Sequence, residues 1–485
     1  MKYYLGIDLG TSSIKVSVID ESGNIIASES DDYPLLLPKL NYSEQNPDDW
    51  FNGLINTLNR LNNKINLEDV ASLSFSGQMH GLVILDENDK VIRPAILWND
   101  SRTTCEVDYL NNEIGTKLLI EETGNIALCG FTAPKVLWLY NNERDNFNKI
   151  SKIMLPKDYL AYKLSGVFAS DVSDLSGTLF FDVKNGIYSK KMLDILHINE
   201  SMLPNIYKSY EVIGNVLPSI CELTGLSTNC KVVIGGGDQA IGATGTNTLL
   251  PGNISISLGT SGVVFAPTDR YFYDKDGRVH SFRHTTNDYH LMGCTLSAMG
   301  SLKWFLEDVL NTNEFNTELN NMPDDISELL FLPYLMGERS PINDPNAKGI
   351  LANMSLYYKR SDIVKAVVEG ICFSLYDVYK VMEEDGITAT SARVIGGGTK
   401  NPKLMQILAD IFGIPMKTIN TSDGGALGAG ILAMVADDKF KDIYEASRIL
   451  VKDTYVYYPD LNKHSLYLNK FNEFKKLYYK NKWFL

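Results

Sequence analysis

Apolar β-formers surround a short polar turn at the start of the chain. Tyr3-Tyr-Leu-Gly-Ile-Asp-Leu9 and Ile14-Lys-Val-Ser-Val-Ile19 are joined by Gly10-Thr-Ser-Ser13, the pattern of a β-hairpin. A second turn at Glu21-Ser-Gly-Asn24 leads to a third run, Ile25-Ile-Ala-Ser28, so an opening β-meander is predicted. The same design returns in Asn253-Ile-Ser-Ile-Ser-Leu-Gly-Thr-Ser-Gly-Val-Val-Phe-Ala266. Gly10 and Gly259 lie 249 positions apart in a chain of 485, so each hairpin opens one half and two related domains are predicted. Gly242, Gly245, Pro251 and Gly252 interrupt the pattern between them and mark the boundary.

Helical periodicity takes over between these strands. Asp49–Leu61 reads as an amphipathic helix, Ile363–Tyr376 as a buried one, and Asn401–Phe412 as a third. Val70–Phe75 reads as a strand running into Ser76-Gly-Gln-Met-His-Gly81, and Val83–Arg93 as strand, turn and strand. Ala392-Arg-Val-Ile-Gly-Gly-Gly398 is a strand that ends in glycines. The pattern is that of an α/β chain with mixed sheets, built twice.

Composition narrows the function classes. The chain is 44% hydrophobic and 21% charged, ordinary for a globular protein. A formal net charge of -14 argues against nucleic acid as partner, because a phosphate backbone needs a basic face. No apolar run approaches the ~20 residues that cross a bilayer. The N-terminus lacks the basic and apolar segments of a signal peptide, which predicts a cytoplasmic protein without a membrane partner. The six cysteines, at 105, 129, 221, 230, 294 and 372, contain no Cys-x-x-Cys pair and read as reduced thiols, not a zinc site.

Four segments carry candidate chemistry. A turn of Gly, Thr and Ser directs backbone N–H groups and hydroxyls at one spot, suited to an anion. One such turn is commonplace; two, at Gly10-Thr11-Ser12 and Gly259-Thr260-Ser261, suggest a phosphate clamp. Asp8, inside the first strand, is either a solvated strand residue or a water-mediated partner of Mg²⁺. In Lys231-Val-Val-Ile-Gly-Gly-Gly-Asp238 a carboxylate follows three glycines and opens a small-residue helix. Asp238 is therefore either an ordinary helix cap or a general base for phosphorylating a hydroxyl. Gln78, Met79 and His80, set between glycines, suit a polyol, with Met79 and Trp98 as an apolar wall; His80 could equally be a satisfied core histidine. Gly396-Gly-Gly-Thr-Lys-Asn401 joins a strand to a helix, where anions and close ligand approach are favoured. The small residues of Gly424-Gly-Ala-Leu-Gly-Ala-Gly430 are read first as tight helix packing. Neither a Walker A loop nor a Rossmann fingerprint is present.

Taken together, the chain resembles the FGGY carbohydrate kinases over essentially its whole length. Gly130-Phe-Thr-Ala-Pro-Lys-Val-Leu-Trp-Leu-Tyr-Asn-Asn142 matches the first family signature, and Leu332–Pro341 with Asp344–Gly349 resembles the second-domain hallmarks. Ser76–Gly81, Leu97–Arg102, Leu155–Leu160 and Ser173–Thr178 are similar to the substrate region of the xylulose-phosphorylating members. The resemblance implies a two-domain actin-like ATPase (ribonuclease H-like) fold, with duplicated mixed β-sheet domains and flanking helices. Residues 1–246 would form the N-terminal domain, with the sugar site, the first phosphate hairpin and the catalytic aspartate. Residues 247–485 would form the C-terminal domain, with the second hairpin and the adenosine pocket.

It further implies ATP-dependent phosphorylation of D-xylulose, a step of xylose catabolism, in a cleft that closes over both substrates. Asp238 would be the catalytic base, and Gln78, Met79, His80 and Trp98 substrate contacts. Gly10, Thr11, Ser12, Gly259, Thr260 and Ser261 would hold phosphates, Gly397, Gly398 and Asn401 the adenosine, and Asp8 Mg²⁺ through water. Gln239 stands where many relatives carry Asn, another amide. Relatives are often homodimers. Kinases of ribulose, glycerol or gluconate, a non-enzymatic actin-like ATP module, and a sugar-responsive repressor are the competing readings; the last needs a basic helix-turn-helix in addition.

Overall fold

In the computed structural model, residues 2–421 and 423–481 are described, and they fall into two units. The first comprises Met1–Leu249, Ser281–Tyr289 and Asp423–Val451. Its sheet begins with β1 (Tyr3–Leu9), β2 (Ser13–Asp20) and β3 (Ile25–Asp32), continues with β4 (Val70–Gly77), and adds β5 (Val212–Asn215), β6 (Lys231–Val233) and β7 (Gly236–Gly237). The strand order is β5-β6-β4-β1-β2-β3, with β7 paired to β4. β1 runs antiparallel to β2 but parallel to β4, and β6 and β7 are also parallel to β4. Leu5, Ile7, Leu9, Ile14, Val16, Leu73 and Phe75 are fully buried, as expected of strands covered on both faces.

Two helices cover this sheet. Pro47–Asn62 starts at Asn46, whose side chain accepts from Asp48 N, and it buries Trp50, Leu54, Leu58 and Leu61 against β2 and β3. Gly424–Ala436, arriving from much later in the chain, packs on β1, β4 and the helix Asp238–Gly245. Here the small residues are sterically required. A Cβ on Gly6 would stand 2.1 Å from Ala426 O, one on Gly245 2.0 Å from Gly424 O, and one on Gly428 2.0 Å from Ile241 O. The Ser72 hydroxyl donates to Ala433 O at 2.7 Å. The run read as tight helix packing is just that.

The second unit comprises Leu250–His280, His290–Ser422 and Lys452–Leu485. Its main sheet includes β8 (Asn253–Leu258), β9 (Gly262–Thr268), β10 (Tyr289–Thr295), β11 (Ser391–Ile395), β12 (Met416–Ile419) and β13 (Asp453–Tyr457), in the order β10-β9-β8-β11-β12-β13. β8 is antiparallel to β9 and parallel to β11, which is parallel to β12. The inner strands thus repeat the first sheet: a hairpin, then two parallel neighbours. The antiparallel end strand is reached differently, since β5 precedes its partner in the chain and β13 follows its own. Arg360–Glu384 is buried along most of its length and meets Leu461–Asn481, where Glu369 accepts from Tyr467 and Lys470 at 2.9 and 2.5 Å.

The predicted helices and both hairpins are present. The second strand expected within Val83–Arg93 is reduced to an isolated bridge of Val91 to Leu85, with Asp86 N donating to Lys90 O at 2.9 Å and Ile92 N to Ile84 O at 3.1 Å, while Val83–Leu85 pairs along its other edge with Lys152–Met154.

Candidate functional site

Three strands of the first unit end in register. Asp8 and Leu9 of β1 stand opposite Ser76 and Gly77 of β4, and those in turn opposite Gly236 and Gly237 of β7. The three segments that leave these ends are the turn Gly10-Thr11-Ser12, the loop Gln78-Met79-His80, and Asp238. Ligands of open α/β sheets collect at such carboxyl ends. The parallel order therefore brings together residues far apart in sequence.

Each segment is held by its surroundings. In the first turn Gly10 N donates to Ser13 O at 3.0 Å. The Tyr33 hydroxyl donates to Gly10 O, Gln45 Nε2 to Thr11 O at 2.6 Å, and Trp98 Nε1 to Thr11 Oγ1 at 3.0 Å. In the second unit Thr260 O accepts from Ala298 N and Gly300 N, and Gly259 O from Met299 N. Both turns thus have their carbonyls pinned by the scaffold. Among the described residues nothing takes up the amides of Thr11, Ser12, Thr260 or Ser261. That leaves the donor edge of each turn for an anion.

The loop after β4 is strained. His80 has φ 70°, a conformation that costs a non-glycine residue about 1–3 kcal/mol unless the surroundings impose it. Lys135, fully buried in the helix Thr132–Asn142, imposes it. Its ammonium donates to His80 O at 2.8 Å and to Gly130 O at 2.7 Å, and Thr132 Oγ1 adds a bond to His80 O. Burial lowers the Lys135 pKa to about 7, with Asp100 opposing the shift. The His80 ring makes a 2.8 Å hydrogen bond to Gly177 O through Nδ1 and lies 4.8 Å from the Phe131 ring. Met79 presses on Gly237, where a Cβ would come within 2.8 Å of its sulfur. Gln78 is buried, its Nε2 donating to Gln45 Oε1 at 3.2 Å, while its Oε1 has no partner among the described residues.

Asp238 opens its helix behind Gly237, which is the N-cap, so Asp238 is not the cap residue. Gly235 (φ 73°) lies where a Cβ would be 2.1 Å from Phe75 O, and only glycine permits that approach. A buried network holds this glycine strand. Gly237 N donates to Ser173 Oγ at 3.1 Å, and Ser173 and Ser209 both donate to Asp171 at 2.6 Å. Lys157, also buried, contacts Asp158, Asp171 and Asp174 at 2.6, 2.9 and 3.5 Å. Burial opposes the lysine's charge, and the three carboxylates outweigh it. Asp238 is half-buried, and enclosure by protein, with the Asp8 charge adding, pushes its carboxyl up to about 6. That places a base close to neutrality. Burial also raises Asp8, with Ser76 drawing it back, Asp423 adding to the rise and Lys15 opposing it.

Sequence reasoning missed Lys15, which faces Asp8 across the hairpin and pairs with Asp423 at 2.5 Å. It also missed Gln45, Lys135, Lys157 and Asp171. The one available signal was a lysine inside an otherwise apolar helix at 135. In the second unit Gly397 and Gly398 lie in a 3₁₀ turn. A Cβ on Gly397 would meet nothing within 4 Å, and one on Gly398 would strike Leu258. Asn401 caps the helix Pro402–Phe412, accepting from Leu404 N at 3.1 Å. The six cysteines form no disulfide with one another. Among the described residues no cluster of three His, Cys, Asp or Glu forms a metal cage, and no helix is long and apolar enough to cross a membrane.

Comparison with known proteins gives the family. Residues 3–245 match the N-terminal domain of the FGGY family of carbohydrate kinases, and residues 254–436 its C-terminal domain. A xylulose kinase of Staphylococcus xylosus is 36% identical over 99% of this chain and 100% of its own. One of Lactococcus lactis is 39% identical over 93% and 91%. The crystal structure of a "xyloylose kinase" from Brucella ovis superimposes with a TM-score of 0.94 at 31% identity, covering both chains completely. With two family domains that together span most of its length, the chain belongs to the FGGY family of carbohydrate kinases.

Proposed function

We propose that this protein transfers the γ-phosphoryl group of ATP to the C5 hydroxyl of D-xylulose, giving ADP and D-xylulose 5-phosphate. The observation that carries the reaction type is the register of the three strand ends, which sets a phosphate turn, a polyol loop and a carboxylate side by side. The choice of sugar is supported by relatives named xylulose kinases that match over nearly the full chain.

Asp238 accepts the hydroxyl proton, and its raised pKa keeps it basic enough to do so while ionised at neutral pH. Gln78 Oε1, a buried acceptor without a partner among the described residues, fits a sugar hydroxyl donor. Met79, His80 and Trp98 line the sugar. The amide edges at Gly10-Thr11-Ser12 and Gly259-Thr260-Ser261 hold phosphate oxygens, and Lys15 adds positive charge beside the first. Gly397, with open space where a side chain would be, admits the nucleoside, next to Gly398 and Asn401.

ATP is the phosphoryl donor, and Mg²⁺ bound to it neutralises charge on the phosphates. A single carboxylate, Asp8, suits Mg²⁺, which keeps most of its waters and binds through few protein groups. A cytoplasmic location and a homodimer complete the proposal, the latter checked by sedimentation.

The test is coupled ADP release over D-xylulose, ribulose, glycerol and gluconate. D-Xylulose should give the highest kcat/KM, and Asp238→Ala should lose at least ~100-fold in turnover while still binding nucleotide. Near-normal turnover in that variant refutes the role of Asp238.

A further inference from the structure

Gln45 belongs to none of the segments that motif reasoning singled out. It lies in the two-residue strand Glu44–Gln45, paired with Ala95–Ile96, and its side chain is buried. Trp50 Nε1 donates to Gln45 Oε1 at 3.0 Å. An indole N–H can only donate, so Trp50 fixes which end of the Gln45 amide is oxygen. The Nε2 end is thereby turned to Thr11 O, at 2.6 Å. The same Oε1 accepts from Gln78 Nε2 at 3.2 Å, which orients the second amide and leaves Gln78 Oε1 as an acceptor unpartnered among the described residues. The backbone closes the circuit, because Gln78 N donates to Leu9 O at 2.8 Å, two residues before Thr11. A second strut runs from Trp98 Nε1 to Thr11 Oγ1.

We infer that Gln45 is a positioning residue that makes the polyol loop and the first phosphate turn one hydrogen-bonded piece, so that filling the loop with sugar tightens nucleotide binding at Gly10-Thr11-Ser12. The inference rests on the sugar-kinase reading above. A donor hydroxyl on Gln78 Oε1 holds that amide in place. Gln45 is then held by three partners, and its grip on Thr11 O fixes the turn whose amides face the phosphates. By thermodynamic reciprocity the nucleotide tightens the sugar by the same factor.

The experiment is calorimetric titration of the non-hydrolysable nucleotide AMPPNP, with Mg²⁺, into the full chain with and without saturating D-xylulose. Wild type, Gln45→Glu and Gln45→Met are compared. Gln45→Glu keeps the acceptor for Trp50 and Gln78 but cannot donate to Thr11 O; Gln45→Met removes all three bonds without adding charge. In the wild type the sugar should tighten AMPPNP about fivefold, the worth of one net hydrogen bond. In whichever variants keep a cooperative melt the gain should fall below about twofold. The inference is overturned if a folded variant keeps the wild-type gain, or if the wild type shows no gain with a sugar it phosphorylates. Should D-xylulose not be turned over, the proposed function fails instead, and the sugar of the panel that is turned over replaces it in the same titration. If none is turned over, both readings fall.

Discussion

At the residue scale, two charged groups enclosed by protein have measurable consequences. Asp238 has a folded pKa of about 6 against an ordinary 3.8, so the acidic limb of kcat/KM should bend near pH 6 and fall about tenfold per unit below it, as expected for a base that must be ionised. The folded state binds that proton more tightly than the unfolded chain. Stability is therefore lost as pH climbs from about 4 to 6, and the deficit persists above. Asp238→Asn should stabilise the ligand-free protein at pH 7.5 by about 1–2 kcal/mol, allowing for the part of the group that stays wet. Urea midpoints at pH 7.5 and pH 4 check this, since the gain should vanish at the lower pH. In the proposed reading Lys135 bears on the same sugar, through the loop that it holds. Lys135→Met removes the ammonium that holds His80 O, so the KM for D-xylulose should rise about tenfold, the worth of one charge-assisted bond, with the KM for ATP within about twofold. Steady-state kinetics with each substrate varied in turn separates the two.

At the element scale, the hairpins were legible because their signal is local: β-formers on both sides of Gly-Thr-Ser. Asp238 was legible because three glycines before a carboxylate are unusual in a strand. Gln45, Lys135 and Asp171 were not, because what defines them is a partner 34, 55 or 38 positions away. The strand expected near Val91 shrinks to a single bridge, Val91 to Leu85, closed by the turn in which Asp86 N donates to Lys90 O. The small residues of Gly424–Gly430 announced close packing but not against what. Their partners turn out to be β1 and the helix that Asp238 opens. Gly428→Ala places a methyl 2.0 Å from Ile241 O, and the only relief is to spread two helices that meet backbone to backbone. A loss of about 3 kcal/mol or more is expected, together with reduced turnover, because the displaced helix is the one Asp238 begins. Urea unfolding and activity on the same preparation test both.

At the scale of the whole molecule, the repeated sheet was foreseeable from two hairpins half a chain apart, but the path of the chain was not. The first unit takes back Ser281–Tyr289 and Asp423–Val451, and the latter brings the helix that covers β1 and β4. A fragment of residues 1–246 would leave Gly6, Ile19, Ser72 and the helix Asp238–Gly245 without that cover. It should be insoluble, or soluble without a cooperative melt, and should bind no D-xylulose; a folded, sugar-binding fragment counts against this account. The re-entry also sets a clock. At typical rates of synthesis, the ribosome needs roughly ten to forty seconds to pass from the end of the first sheet to the helix that closes it. During that interval the nascent protein carries an uncovered sheet face, and its yield in a cell depends on how well that face is shielded until Gly424–Ala436 emerges.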